Sequence, residues 1–269
     1  MLRSFLLTVP LLSLLAPILR AEVAQFVPSK DNTLFQQVDP SQQRSNGLGD
    51  MTVGRTNQDG SGPATISIRR GLLAFDIASQ IPTGSIITDV VLSMRDVQGL
   101  NGDPTVNLHR VLTNWGEGTS FQNGGQGALA TNGDATWLYT FFNASSPNTS
   151  PIWTTPGGDF TSLSSGSAVI FDDLGGGQLF SWSSSTNPLM IDDVQFWLDN
   201  PASNFGWILI GDESRGQTAK RFTSREGSVP PVLQVTYSVV PEASVVTLMG
   251  VAGMIAFGVG IRSRLHQRP

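Results

Sequence analysis

The sequence predicts an all-β sandwich carrying one short helix. Short runs alternate between apolar and polar residues with period two. Turn-forming Gly, Ser, Thr, Asn and Asp cluster between those runs. Only one segment, near Trp197, has helical spacing.

Taken in chain order, residues 1–21 read as a secretory signal peptide. Arg3 is followed by an apolar run from Phe5 to Leu15 and then by the small residue Ala21. That is the order of a charged start, a short apolar core and a cleavage site. Cleavage is expected after Ala21, with Ala24 the alternative. An uncleaved N-terminal anchor is the competing reading, weakened by Pro10 and Pro17.

Residues 22–238 form the expected β-domain. Gly71 to Phe75 and Phe205 to Ile210 are almost continuously apolar, as central strands covered on both faces would be. Val90, Leu92 and Met94 alternate with Val91, Ser93 and Arg95, following a turn at Pro82-Thr83-Gly84. Val106 and Leu108 alternate with Asn107 and His109, and Leu233, Val235 and Tyr237 with Gln234 and Thr236. Between Ile191 and Asn200, Val194, Trp197 and Leu198 share one helical face, and Asn200-Pro201 ends the segment. The helix is expected to plug one end of the sandwich. Asn123 to Gly133 and Asn143 to Gly158 read as loops. There is no internal repeat.

Residues 239–269 read as a membrane-engaging tail. Ala243 to Ile261 is 19 residues without a charge, followed by Arg262, Arg264 and Arg268. As a helix this run spans about 28 Å, enough for a bilayer core. The arginines would then stay cytoplasmic. Setting both ends aside leaves 11 basic and 19 acidic residues between positions 23 and 241, a net charge near −8. Such a domain is a poor partner for nucleic acid.

Catalytic signals are sparse. His109 is the single histidine outside the tail, and its alternation points it away from Val106 and Leu108. No zinc spacing is present, and Gly175-Gly176-Gly177 lacks the lysine and helix of a phosphate loop. Glu117, flanked by Gly116 and Gly118 and preceded by Trp115, is the one acid in an unusual setting. A glycosidase would need a second carboxylate facing it; a lyase would need Tyr139 or His109 as a base. The loop acids Asp134, Asp159 and Asp212 supply oxygens of the kind a structural calcium takes.

Binding signals are stronger. Trp115, Trp137 and Trp153 lie in or beside the polar loops, where an exposed indole could support a sugar ring. In Lys220 to Glu226, the only basic cluster of the domain, a strand would put Arg221, Thr223 and Arg225 on one face. Those arginines could pair with uronate carboxylates or with the domain's own acids. The expected ligand contacts are Trp115, Trp153, Arg221 and Arg225.

Two resemblances sharpen this reading. Val240-Pro241-Glu242-Ala243, the apolar span and the terminal arginines, Arg262 and Arg264 among them, resemble the PEP-CTERM sorting signal of exported bacterial proteins. The family usually has a second proline where this chain has Ala243. The resemblance implies a Gram-negative-type envelope, the export machinery, membrane attachment and an exosortase-type protease as partners. Lys30-Asp31-Asn32-Thr33-Leu34, Arg70 to Asp76, Ile81-Pro82, Ala219 to Glu226 and Leu233 to Tyr237 resemble the DNRLRE-type domain family. Thr33, Phe35 and Gln36 depart from its name-giving motif. That resemblance implies a jelly-roll β-sandwich and, for some members, polysaccharide binding. The expected function is therefore a non-catalytic, exported envelope protein that binds polysaccharide or a cell-surface glycan and needs no cofactor. A structural matrix or adhesion protein, and a polysaccharide lyase or glycoside hydrolase, are the alternatives.

Overall fold

The computed structural model describes residues 20–37, 39–57, 67–99, 102–122, 124–171 and 177–240. The expected signal peptide, all but Arg20 and Ala21, and the expected membrane-spanning tail lie outside these residues. No helix among the described residues is long and apolar enough to cross a membrane. Ala21–Ser238 form one compact unit.

The strands in chain order are β1 (Ala21–Phe26), β2 (Lys30–Phe35), β3 (Arg44–Ser45), β4 (Met51–Arg55), β5 (Ile68–Ala74), β6 (Ile86–Gly99), β7 (Thr105–Arg110), β8 (Ala128–Leu129), β9 (Gly166–Val169) and β10 (Leu179–Ser183). The helix α1 (Leu189–Asp199) follows, then β11 (Trp207–Ile210), β12 (Lys220–Phe222) and β13 (Val232–Ser238). Eleven strands form one antiparallel sheet in the order β1-β13-β6-β12-β4-β5-β11-β7-β9, with β10 added on β6 and β2 on β5. The short β12 and β4 join the two broad halves.

The sheet curls so that these halves face each other in a sandwich-like arrangement. Val90, Leu92 and Met94 of β6 and Leu233 and Val235 of β13 meet Val106, Leu108, Trp207 and Leu209 of β7 and β11 in one apolar core. The period-two reading of β6, β7 and β13 therefore holds. Val90, Leu92 and Met94 are fully buried, whereas Val91, Ser93 and Arg95 are half-buried.

The continuous apolar runs also behave as predicted, for a visible reason. In β5, Leu73 enters the main core while Leu72 and Ala74 face a second cluster on the outer side of the sheet. In β11, Trp207 and Leu209 point inward and Ile208 outward. The cover over this outer face comes from the chain between Val111 and Phe160, chiefly Trp115, Ala135, Trp137 and Trp153. Of the two expected loops, Asn143 to Gly158 supplies Trp153 to this third layer.

Helix α1 begins two residues before the expected start. Pro188 precedes it, and Met190 joins Val194, Trp197 and Leu198 on the buried face. It packs on β6, where Ile87 N donates to Gln195 Oε1 at 2.9 Å and Gln195 Nε2 donates to the Ser85 carbonyl at 3.2 Å. Asp193 ties it to the opposite half of the sheet. Trp207 Nε1 donates to its carboxylate at 2.7 Å, and Arg110 lies 3.0 Å away. Burial pushes the Asp193 carboxyl above its usual range.

Candidate functional site

The residues expected to contact a ligand are placed differently from the sequence reading. All six tryptophans are buried, Trp115 at 1 % and Trp153 at 2 % exposure. Trp115 Nε1 donates to the Phe205 carbonyl at 2.9 Å, and Trp153 Nε1 to the Thr136 carbonyl at 2.8 Å. Both rings serve the outer-face layer, so neither offers a platform. A loop tryptophan beside an uncovered apolar strand face is drawn inward because burying it removes a large apolar area from water. Among the described residues the exposed aromatic rings are Phe121, Phe171 and Phe196.

Arg221 and Arg225 do not share a face. Arg221, in β12, lies 3.6 Å from Asp50. Arg225, beyond the strand end, lies 2.8 Å from Glu117 and 2.7 Å from Glu226. Of the two partner classes weighed for these arginines, the structure places the domain's own acids beside them.

Glu117 belongs to a partly buried polar cluster at the edge of the loop layer. Its Oε1 accepts from Asp31 N at 2.9 Å, and Asp31 Oδ2 accepts from Arg225 N at 2.7 Å. Gly118, at φ 69°, allows the turn that aims Glu117 here; a side chain at 118 would collide with Asp134. Burial pushes the Asp31 carboxyl well above its ordinary range, and Glu117 and Asp134 upward as well. Lys30 Nζ donates to the Trp115 carbonyl at 2.6 Å and to Asn114 Oδ1 at 3.0 Å, and sits 4.1 Å from the centre of the Trp115 ring. Burial lowers its pKa to about 8, against the attraction of Glu117. These groups hold strand, loop and C-terminal segment together.

His109 is held in place rather than poised. Its Nδ1 is 2.8 Å from the Thr161 carbonyl, which can only accept, so Nδ1 carries the proton. The imidazole leans on Phe160 at 5.3 Å between ring centres. Tyr139 is buried against Phe142. The calcium candidates are each engaged locally: Asp134 by Thr131, Asp212 by Ser214 and Arg215, and Asp159 as described next. Among the described residues no three His, Cys, Asp or Glu side chains gather as a metal group.

One surface concavity stands out. Residues 111–113 run antiparallel beside 159–161, with a bridge between Val111 and Phe160 and Leu112 N donating to the Asp159 carbonyl at 2.9 Å. The turn Thr154 to Asp159 rises next to this pair, leaving a groove of about 420 Å³ lined by Leu112, Thr113, Thr154, Thr155, Asp159 and Phe160. Asp159 organises it. Its Oδ2 accepts from Thr113 Oγ1 at 3.1 Å and Thr154 N at 2.9 Å, and its Oδ1 from Thr155 N at 2.9 Å. Leu112 is exposed and Phe160 half-buried, so apolar and hydroxyl groups line the same space. The sequence reading marked Asp159 only as a calcium candidate. The pairing across 46 positions that creates the groove has no periodic signature.

No family model matches the chain, and no curated protein matches it.

Proposed function

We propose that the chain is a non-catalytic, exported envelope protein whose β-domain binds polysaccharide at the groove around Asp159. One observation carries the reading: a concavity of about 420 Å³ in which an aliphatic chain, an aromatic ring, threonine hydroxyls and one carboxylate converge. Ligand sites of roughly 300–1,000 Å³ with that mixture suit a small amphipathic ligand. A sugar ring has such a character, with CH groups on its faces and hydroxyls around its rim. A jelly-roll wiring and a relationship to the DNRLRE-type domains belong to the same proposal, as do the signal peptide and a PEP-CTERM-like tail from Val240, Pro241 and Glu242 to Arg262 and Arg264.

The test is affinity electrophoresis of the purified chain through gels carrying neutral, uronate-rich or sulfated polysaccharides. Retardation by at least one is expected. Unchanged mobility in all of them would sink the binding reading. Sequencing the mature N-terminus tests the export proposal. Cleavage after Ala21 leaves β1 nearly whole, whereas cleavage after Ala24 would remove the residues that pair with Val235 to Ser238.

A second reading, a structural matrix or adhesion protein without a small ligand, is favoured by the arginines. Arg221 and Arg225 lie against Asp50, Glu117 and Glu226, which makes them part of the scaffold. Loss of cell aggregation on deletion, with no glycan retardation, is its expected signature. A hydrolase or lyase reading would instead require product release that Glu117→Gln or His109→Ala abolishes.

A further inference from the structure

Resting on the polysaccharide reading above, we infer that the groove at Asp159 selects uncharged sugars, with the Asp159 carboxylate accepting hydrogen bonds from sugar hydroxyls and Leu112 and Phe160 packing against the ring's CH face.

The charge around the groove decides the class. Asp159 is the ionisable residue in its lining. Arg70 lies behind the Phe160 ring, its guanidinium carbon 5.5 Å from the ring centre. Arg70 is already committed: Nε and Nη2 donate to the two carboxylate oxygens of Glu213 at 2.8 and 2.9 Å, and Nη1 donates to the Gly157 carbonyl at 2.9 Å. A bidentate pair of this kind leaves little attraction for a second carboxylate. A uronate or sulfate ester entering the groove would thus face Asp159 with no cation in the lining and Arg70 already paired, in a domain that is itself acidic. Like charges a few ångströms apart repel with little screening at physiological salt, where the Debye length is about 8 Å.

Hydrogen-bond capacity supports the same choice. An ionised carboxylate has about four acceptor positions. Three are taken, by Thr113 Oγ1 and by the amides of Thr154 and Thr155, and those donors also fix the carboxylate's direction. The remaining capacity is acceptor-only, which suits a hydroxyl and rejects a second anion. Thr154 and Thr155 are exposed at the rim, and their hydroxyls can donate or accept. Leu112, 51 % exposed, offers an apolar contact beside the half-buried Phe160 ring. With so few contacts, binding is expected to be weak, with a Kd on the order of 1 mM per site.

The decisive measurement is affinity electrophoresis of the full-length chain, in zwitterionic detergent, against a soluble neutral β-glucan, a neutral mannan and a polyuronate. Expected is retardation by a neutral glycan that persists at 0.5 M salt, with no retardation by the polyuronate. Leu112→Ala and Thr155→Val, both at exposed positions, should each weaken it about threefold to tenfold. Asp159→Asn should weaken it at least tenfold, with far-UV circular dichroism reporting whether the turn survives. Retardation by the polyuronate alone, lost in high salt, would overturn this inference while leaving the polysaccharide reading intact. Neutral binding indifferent to Leu112→Ala, Thr155→Val and Asp159→Asn would overturn the assignment to this groove. Retardation by none of the three probes would count against both.

Discussion

The main core and the layer over the outer face of β5 and β11 each contain three tryptophans, yet they are built by different means. In the main core, Trp182, Trp197 and Trp207 sit on regular elements. Trp197 and Trp207 meet edge to face at 4.7 Å, and Trp182 Nε1 donates to the Val106 carbonyl. In the outer layer, Trp115, Trp137 and Trp153 sit on irregular chain. There polar side chains replace the strand ladder as the organising force. Asn32 Oδ1 accepts from Ser45 Oγ at 2.7 Å and Asn46 N at 3.1 Å, while its Nδ2 donates to the Glu117 carbonyl at 2.9 Å. Gln43 Oε1 accepts from Thr136 Oγ1 at 2.7 Å. Buried backbone needs partners wherever it runs, and irregular chain must obtain them from side chains.

The sharpest way to break the comparison is to damage each part at one residue. Trp207→Ala should cost about 3–5 kcal/mol, because it leaves a large cavity and strips Asp193 of a hydrogen bond. A cooperative loss of the whole thermal transition is expected, read by circular dichroism. Asn32→Ala should cost about 2–3 kcal/mol through the acceptors and donors it orphans. Its signature is local. Amide exchange at Gly116 and Ala135 should accelerate while β13 stays protected. Equal acceleration in both regions would show that the two parts unfold as one.

A pH series sharpens the contrast further. Asp31, Glu117 and Asp134 have folded pKa values above their unfolded ones. Their contribution to stability is full below the unfolded values near 4 and declines as pH rises through the folded values. Denaturant midpoints should therefore fall as pH rises above about 4, and Asp31→Asn should flatten that slope. Lys30, lowered to about 8, acts at the other end. Between about pH 8 and 10.5 the unfolded chain holds the extra proton, so stability recovers with rising pH. Lys30→Met should erase that recovery. The smallest effect belongs to Arg221→Ala, at most about 1 kcal/mol by urea denaturation, since its ion pair with Asp50 is partly exposed.

The same division explains what could be read from the sequence. Val90, Leu92 and Met94, or Leu233, Val235 and Tyr237, announce their strands because one face is buried and the period is two. Val194, Trp197 and Leu198 announce the helix equally well. The outer layer has no period to read. Whether Trp115 stands out or folds in depends on an apolar strand face around 80 positions earlier in β2 and 90 positions later beside β11, where its indole finds the Phe205 carbonyl. The arginines illustrate the same gap. Alternation put Arg221 and Arg225 together, but β12 ends at Phe222 and its register shifts after Arg221, so the count of two fails beyond it. The groove was hidden for a related reason, since Leu112 and Asp159 become neighbours only through their backbone pairing.

The pairing of the first strand with the last has a mechanical meaning. Ala21 lies opposite Ser238, and β13 runs between β1 and β6 with antiparallel ladders on both sides. A pull on the chain at Ser238 is taken up along β13, loading both ladders in shear, so many hydrogen bonds must fail together. A strand with a single neighbour would offer only one such ladder. The end of the domain at Ser238 is therefore anchored on two strands at once.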